Sequence, residues 1–216
     1  MQRLRVRFSR GQEIKFIAHL DIMRLWERAL RRAQISLAYS EGFSPHPRIS
    51  LAAPLAVGVT SEAELMDIFI ARWVSPHWFT TVVSQQLPPS IEILGVYQVE
   101  LTMPSLQSQV RYAEYGVEVE TKKGLNDIES AVSGLLSVEH LPWHHQRDTE
   151  WRSYDLRTLI DDLWLVDWCD PYCTIGMRLR CDSGGSGRPE QVVSALGFTH
   201  YPQSIHRTKL ILKARK

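Results

Sequence analysis

An α+β fold made of two β-α-β-β-α-β halves is what this sequence predicts, on three observations. Period-2 alternation of polar and apolar residues opens each half, at residues 3–8 and again at 111–120. A stretch with helical spacing follows each strand, at 20–34 and at 125–136. Shorter apolar runs punctuated by Gly and Pro then lead to one more helix and one more strand in each half. Strand, helix, strand, strand, helix, strand is the split β-α-β order of ferredoxin-like folds. Its recurrence predicts one domain at 1–102 and a second at 110–216, the two ferredoxin-like halves packed together.

The first strand, Arg3-Leu-Arg-Val-Arg-Phe8, sets Arg3, Arg5 and Arg7 on one face. In the helix over 20–34, Ile22, Trp26, Ala29, Leu30 and Ala33 share one side. Arg24, Arg28, Arg31 and Arg32 lie opposite. The segment Ser40-Glu-Gly-Phe-Ser-Pro-His-Pro-Arg48 runs into an apolar stretch at 49–59 and a strand at 63–71. Ser75-Pro76 puts proline at a first helical position, so a second helix is expected over 76–87, stopped by Pro88-Pro89. Residues 91–101 read as a strand, and 103–109, with Pro104 and two serines, as a linker.

In the second half, strand-like segments fall around 151–156 and 173–181. Within 156–168, Leu156, Leu159, Ile160 and Leu163 have spacing that fits a helix. Residues 187–197 have Pro189 near the start and Gly197 at the end of a further helix, and 204–213 is the closing strand.

The bulk numbers exclude several classes. A chain that is 44% hydrophobic and 23% charged has the composition of an ordinary globular protein rather than a disordered one. A formal net charge of +1 rules out a polycation, so a basic surface must come from local segregation. Three cysteines, Cys169, Cys173 and Cys181, argue against a secreted disulfide framework. No apolar run reaches the roughly 18 residues of a membrane span, and the opening strand lacks a signal-peptide core. A cytoplasmic location without membrane association is expected.

The strongest chemical signal is the arginine face of the first helix. Arg24, Arg28 and Arg31 at i, i+4 and i+7 can track a phosphate backbone, the alternative being a solvated helix face with Glu27 as a partial partner. Tyr39 and Phe43 can stack on unpaired bases, and Arg48 follows them. Pro45 and Pro47 bracket His46 and restrict it. The alternative is a rigid crossover with its aromatics in the core, but two prolines bracketing a His beside an Arg are a costly way to build a mere connection and favour the functional reading. His19 and His46 are candidates for a proton-transfer pair of metal-independent RNA cleavage, against a structural or phosphate-contacting His19. Ser183-Gly-Gly-Ser-Gly-Arg188 can offer N–H groups to an anion but lacks the end of a P-loop. Arg188 and Arg207 remain phosphate contacts. His140, His144 and His145 beside Trp143 lack a fourth ligand, so neither metal nor cofactor is expected.

Several stretches together resemble the radical SAM-linked family: Arg5-Val-Arg-Phe-Ser9, Phe16-Ile-Ala-His-Leu-Asp-Ile-Met-Arg24, Arg28-Ala-Leu-Arg-Arg32, Ala38-Tyr-Ser-Glu-Gly-Phe-Ser-Pro-His-Pro-Arg-Ile-Ser50 and Pro54-Leu-Ala-Val-Gly-Val-Thr-Ser61. Tyr154-Asp-Leu-Arg157, Gly187-Arg-Pro189 and His206-Arg-Thr208 continue it. Ala18 departs from the serine expected to cap the first helix. The resemblance implies a radical SAM protein as partner and establishes no reaction. The chain itself is not such an enzyme, because Cys169-x-x-x-Cys173 is followed by Gly176 where a third cluster thiolate would stand. Three functions are expected to compete: an RNA-binding accessory holding tRNA or rRNA for that enzyme, an RNA-processing enzyme using His19 and His46, and a protein-only adaptor.

Overall fold

A computed structural model describes residues 1–147 and 150–213, with side chains except at 145–147 and 150–152. The chain divides into two compact units, one holding Met1–Val110 and, from the far end, Leu212, the other Arg111–Ile211.

The first unit runs β1 (Gln2–Arg10), α1 (His19–Arg32), β2 (Ile49–Leu51), β3 (Thr60–Ile70), α2 (Pro76–Ser84) and β4 (Ile93–Val99). β1 pairs antiparallel with both β3 and β4, and β2 pairs antiparallel with β3. The order β2-β3-β1-β4 is that of a ferredoxin-like sheet. Alternation along β1 sends Leu4, Val6 and Phe8 into the core, where they join Ile22, Trp26 and Leu30 of α1 and Phe79 and Val83 of α2. Phe8 meets Trp26 edge-on with ring centroids 4.9 Å apart. The α+β class read from the sequence is the one the chain adopts.

The other face of β1 carries the arginines, as the alternation places them. Arg3 and Arg5 are buried against Asp67 of β3, which has no accessible surface. Arg3 donates through Nε and Nη2 to Oδ2 at 2.9 and 2.6 Å. Arg5 donates from Nε to Oδ1 at 2.8 Å and from Nη2 to Oδ2 at 3.1 Å. Arg3 also reaches the carbonyls of Met103 and Pro104, at 2.6 and 2.8 Å. The expected linker is therefore a fixed cover. Its residues form the one-turn helix α3 (Leu106–Gln109), capped by Ser105 and anchored by a fully buried Leu106. Arg7 remains exposed.

The second unit runs β5 (Val110–Glu120), α4 (Leu125–Ser137), β6 (Pro142–Arg147), β7 (Glu150–Asp155), β8 (Ile160–Cys169), β9 (Tyr172–Asp182), β10 (Gly185–Ser186), α5 (Pro189–Ala195) and β11 (Ser204–Leu212). β9 pairs antiparallel with β5 and β8, and β11 flanks β5 on its other side. The order β8-β9-β5-β11 is again ferredoxin-like, with the hairpin β6–β7 inserted after α4 and β10 folded back on β9.

The helical spacing within 156–168 does not produce a helix. Leu156–Leu159 makes a single 3-10 turn and the rest is strand β8. The pairing of β8 with β9 shifts register between Ile160 and Asp162 and again between Leu165 and Asp167. Each extra residue moves the next inward position one place along, so buried Ile160 and Leu163 are three apart in a strand. Trp164 lies opposite Gly176, and a Cβ on that glycine would fall 2.0 Å from the indole. Glycine there lets the ring lie across the neighbouring strand.

Both α1 and α5 end in Schellman turns. At the end of α5, Phe198 N–H bonds to Val193 C=O and Gly197 N–H to Ser194 C=O, with Gly197 at φ +79°. At the end of α1 the same pair of bonds runs from Ile35 to Leu30 and from Gln34 to Arg31, but the left-handed residue is Gln34 at φ +57°. An L side chain there is strained by about 1 kcal/mol, and Gln34 is exposed. Gln34→Gly is expected to raise stability by roughly 0.5–1 kcal/mol, measured as a higher urea midpoint at unchanged slope.

Candidate nucleic-acid interface

α1 carries its arginines where the helical period places them, about 180° from the core stripe of Ile22, Trp26, Ala29 and Leu30. Arg24, Arg28 and Arg31 are all exposed. Arg24 is paired with Asp21 at 3.1 Å, with both side chains largely in solvent. An exposed pair of this kind holds its partners weakly. Arg28 and Arg31 make no ion pair or hydrogen bond among the described residues. Arg32 donates to the carbonyl of Gln86 and is occupied.

The chain leaving α1 is built onto the end of β3. Ala71 N–H bonds to Ser36 C=O and Ala38 N–H to Phe69 C=O, each at 2.8 Å. Tyr39 bridges Pro47, and Ser40 takes His46 from both sides, its N–H on the His46 carbonyl and its hydroxyl accepting the His46 N–H. The proline-rich segment is thus a tongue whose tip, residues 41–45, is exposed throughout. Its aromatics are not in the core: Phe43 is 109% exposed and Tyr39 51%. His46 is exposed, and Arg48 stacks its guanidinium over Phe69 at 4.1 Å while staying open to solvent.

Sequence reasoning missed the corner between β3 and α2. Arg72 and Trp73 follow Ala71, and so stand beside the start of the tongue. Val74 is held by Gln2 through reciprocal bonds of 3.0 and 3.1 Å. Trp73 is 68% exposed, Trp78 in the first turn of α2 is 45% exposed, and Arg72 is exposed. The signal was a Trp-Arg pair placed between a strand end and a Ser-Pro helix start, a position where packing does not call for an indole.

Other expected residues fall elsewhere. His19 opens α1 and His46 lies beyond its far end, so the 14-residue helix, about 21 Å long at 1.5 Å per residue, separates them. The structure does not bring this pair together as an acid and a base. Arg207 has no accessible surface, so its guanidinium cannot meet a phosphate in solvent. Arg188 is exposed at the N-cap of α5 in the second unit. The glycine-rich segment is a tight return: Gly184 N–H is bound by Asp182 and Gly187 N–H by Arg180 C=O.

Among the described residues no three His, Cys, Asp or Glu side chains gather; the His145 side chain lies outside them. His140 bonds Asp155 at 2.8 Å. The Leu141 N–H, with His140 second, holds the Asp155 carboxyl below its usual range.

The three cysteines form no disulfide among the described residues and differ in exposure. Cys169 is exposed, Cys181 half-buried and Cys173 buried. Burial pushes the Cys173 thiol up, since a thiolate would lose its hydration. Iodoacetamide at mildly alkaline pH is expected to alkylate Cys169 quickly and Cys173 only after denaturant is added, as read by peptide mass spectrometry. No helix among the described residues is long and apolar enough to cross a membrane.

These features define an α+β protein of two ferredoxin-like units, the first edged with free arginines and unburied aromatics. It belongs to the family described as "Uncharacterized protein conserved in bacteria (DUF2344)", whose model matches residues 3–189. Among curated proteins none matches the chain. Solved structures that share the fold include the following two. A chain of the "Cbf5-Nop10-Gar1 Complex" superposes with a TM-score of 0.54 at 7% identity, over 96% of this chain and 48% of that one. A chain of the "archaeal box H/ACA sRNP Nop10-Cbf5 complex" does so with a TM-score of 0.50 at 8% identity, over the same shares. The present chain thus spans about half the length of either relative.

Proposed function

We propose that the protein binds RNA through the outward face of α1 and acts as the RNA-holding accessory of a radical SAM enzyme in RNA modification or processing. The observation that carries this reading is the i, i+4, i+7 row of Arg24, Arg28 and Arg31, exposed and with two of its three guanidiniums unpaired. Arg31 favours the C-terminal end of the helix and Arg24 pairs with Asp21, but like charges at helical spacing repel. A phosphate backbone relieves that repulsion and releases counterions. The likeness to chains of an sRNP complex is one of fold, and fold does not carry function across 8% identity. The radical SAM partner rests on the motif resemblance in residues 5–61, and tRNA and rRNA are the RNA classes proposed.

The test is fluorescence anisotropy with labelled tRNA and an rRNA fragment at two salt concentrations, wild type against Arg24→Glu/Arg28→Glu/Arg31→Glu. Salt-sensitive binding that collapses in the triple variant is expected. Folded wild-type protein with no RNA affinity, yet capturing the radical SAM partner independently of salt, would leave the adaptor reading instead.

A further inference from the structure

We propose that the end of the first unit formed by the tongue and the β3–α2 corner takes unpaired nucleotides, with Trp73 and Phe43 as stacking platforms and Arg31, Arg48 and Arg72 as phosphate contacts. The inference rests on the RNA-binding reading of α1 and narrows it to a single-stranded segment.

The six exposed aromatics of the first unit are Phe16, Tyr39, Phe43, Trp73, Trp78 and Tyr97. Four of them, Tyr39, Phe43, Trp73 and Trp78, stand where α1 ends, β3 ends and α2 begins. The hydrogen bonds Ala71–Ser36 and Ala38–Phe69 tie that region into one piece. Exposed indole and phenyl rings give up the free energy of burial, and the ring most fully out, Phe43, sits on a tip whose two sides are clamped together by Ser40 and His46. The clamp holds the base of the tip, which lowers the backbone entropy lost when a nucleotide stacks on the ring.

Charge chooses the occupant. Arg31, Arg48 and Arg72 are exposed where α1 and β3 end and β2 begins, and the tip of the tongue carries one acid, Glu41. Cations interleaved with flat apolar rings match a ligand that alternates anionic groups with planar bases. A duplex shows phosphates but keeps its base faces stacked inside. An acidic protein surface supplies charge without requiring the rings. Unpaired nucleic acid satisfies both halves of the pattern.

The experiment compares a short oligouridylate, an RNA duplex of matching length and a polyglutamate peptide, each titrated into wild type, Trp73→Ala/Phe43→Ala and the triple α1 variant. All three proteins are first checked for the same circular dichroism and melting temperature, which exposed positions should leave unchanged. The expected result is a preference for the single strand that falls about ten- to a hundred-fold in the aromatic variant, with duplex affinity unaltered. The α1 variant should weaken both nucleic acids. Equal affinity for single strand and duplex, unmoved by the aromatic variant but lost in the α1 variant, would overturn this inference and leave RNA binding standing. Polyglutamate bound as well as RNA, without dependence on the rings, would overturn it in favour of an acidic protein. Absence of RNA binding by folded wild type would remove both readings.

Discussion

Asp67→Asn is expected to destabilise the protein by about 3–5 kcal/mol, the range for removing one partner of a buried ionic cluster. The carboxylate accepts four hydrogen bonds, two each from Arg3 and Arg5, inside a region that excludes water. Asparagine keeps the shape but gives back one carbonyl oxygen and an NH2 group that points donors at donors. Two guanidiniums then stay buried without a counter-charge. The change should also loosen α3, because Arg3 holds the Met103 and Pro104 carbonyls only while Asp67 fixes its fork. Urea unfolding followed by circular dichroism gives the magnitude, and hydrogen exchange at 103–109 gives the location. A triple replacement, Arg3→Met/Asp67→Leu/Arg5→Met, should cost less than Asp67→Asn alone, since apolar groups of similar volume leave no charge stranded. A cost below about 1 kcal/mol for Asp67→Asn would mean that water reaches the cluster.

Reversing Arg24, Arg28 and Arg31 together should weaken RNA binding by roughly a thousand-fold or more at low salt, taking a charged hydrogen bond as about 1.5 kcal/mol or more at each position. The more diagnostic quantity is the salt dependence. Each lost phosphate contact lowers the slope of log K against log salt by about 0.7–0.9, so three should remove about two to three units. A loss of affinity with the slope intact would mean that the variant had disturbed the fold rather than the contacts. That outcome is disfavoured by position, because all three side chains point away from Ile22, Trp26 and Leu30. Charge reversal on the solvent apex leaves the packed face as it was.

How far the sequence went can be seen element by element. β1, α1, α4 and α5 were legible because their signals are local: alternation, a 3.6-residue stripe, a proline at the start or a glycine at the end. The Arg24–Arg28–Arg31 row was legible for the same reason, since helical period alone decides which residues oppose the core. β8 was not legible because its bulges produce three-residue spacing, and a bulge exists only relative to the partner strand β9.

Arg3 and Arg5 mark the limit most sharply. Alternation put them correctly on one face of β1, but whether that face meets water depends on what covers it. The cover comes from Asp67 and from residues 103–109, up to a hundred positions away. His19 and His46 look close as motifs and are held apart by the length of α1. Trp73 and Arg72 carried no periodic signal, and only the hydrogen bonds joining residues 36–38 to 69–71 place them beside the tongue. The sequence by itself determined the α+β order of elements and the arginine face of α1, because both follow from near-neighbour spacing along the chain. The tertiary structure alone decided which charges are buried, which histidines are separated and which aromatics share one end of the first unit. Those depend on contacts between residues far apart in sequence, which no local pattern encodes.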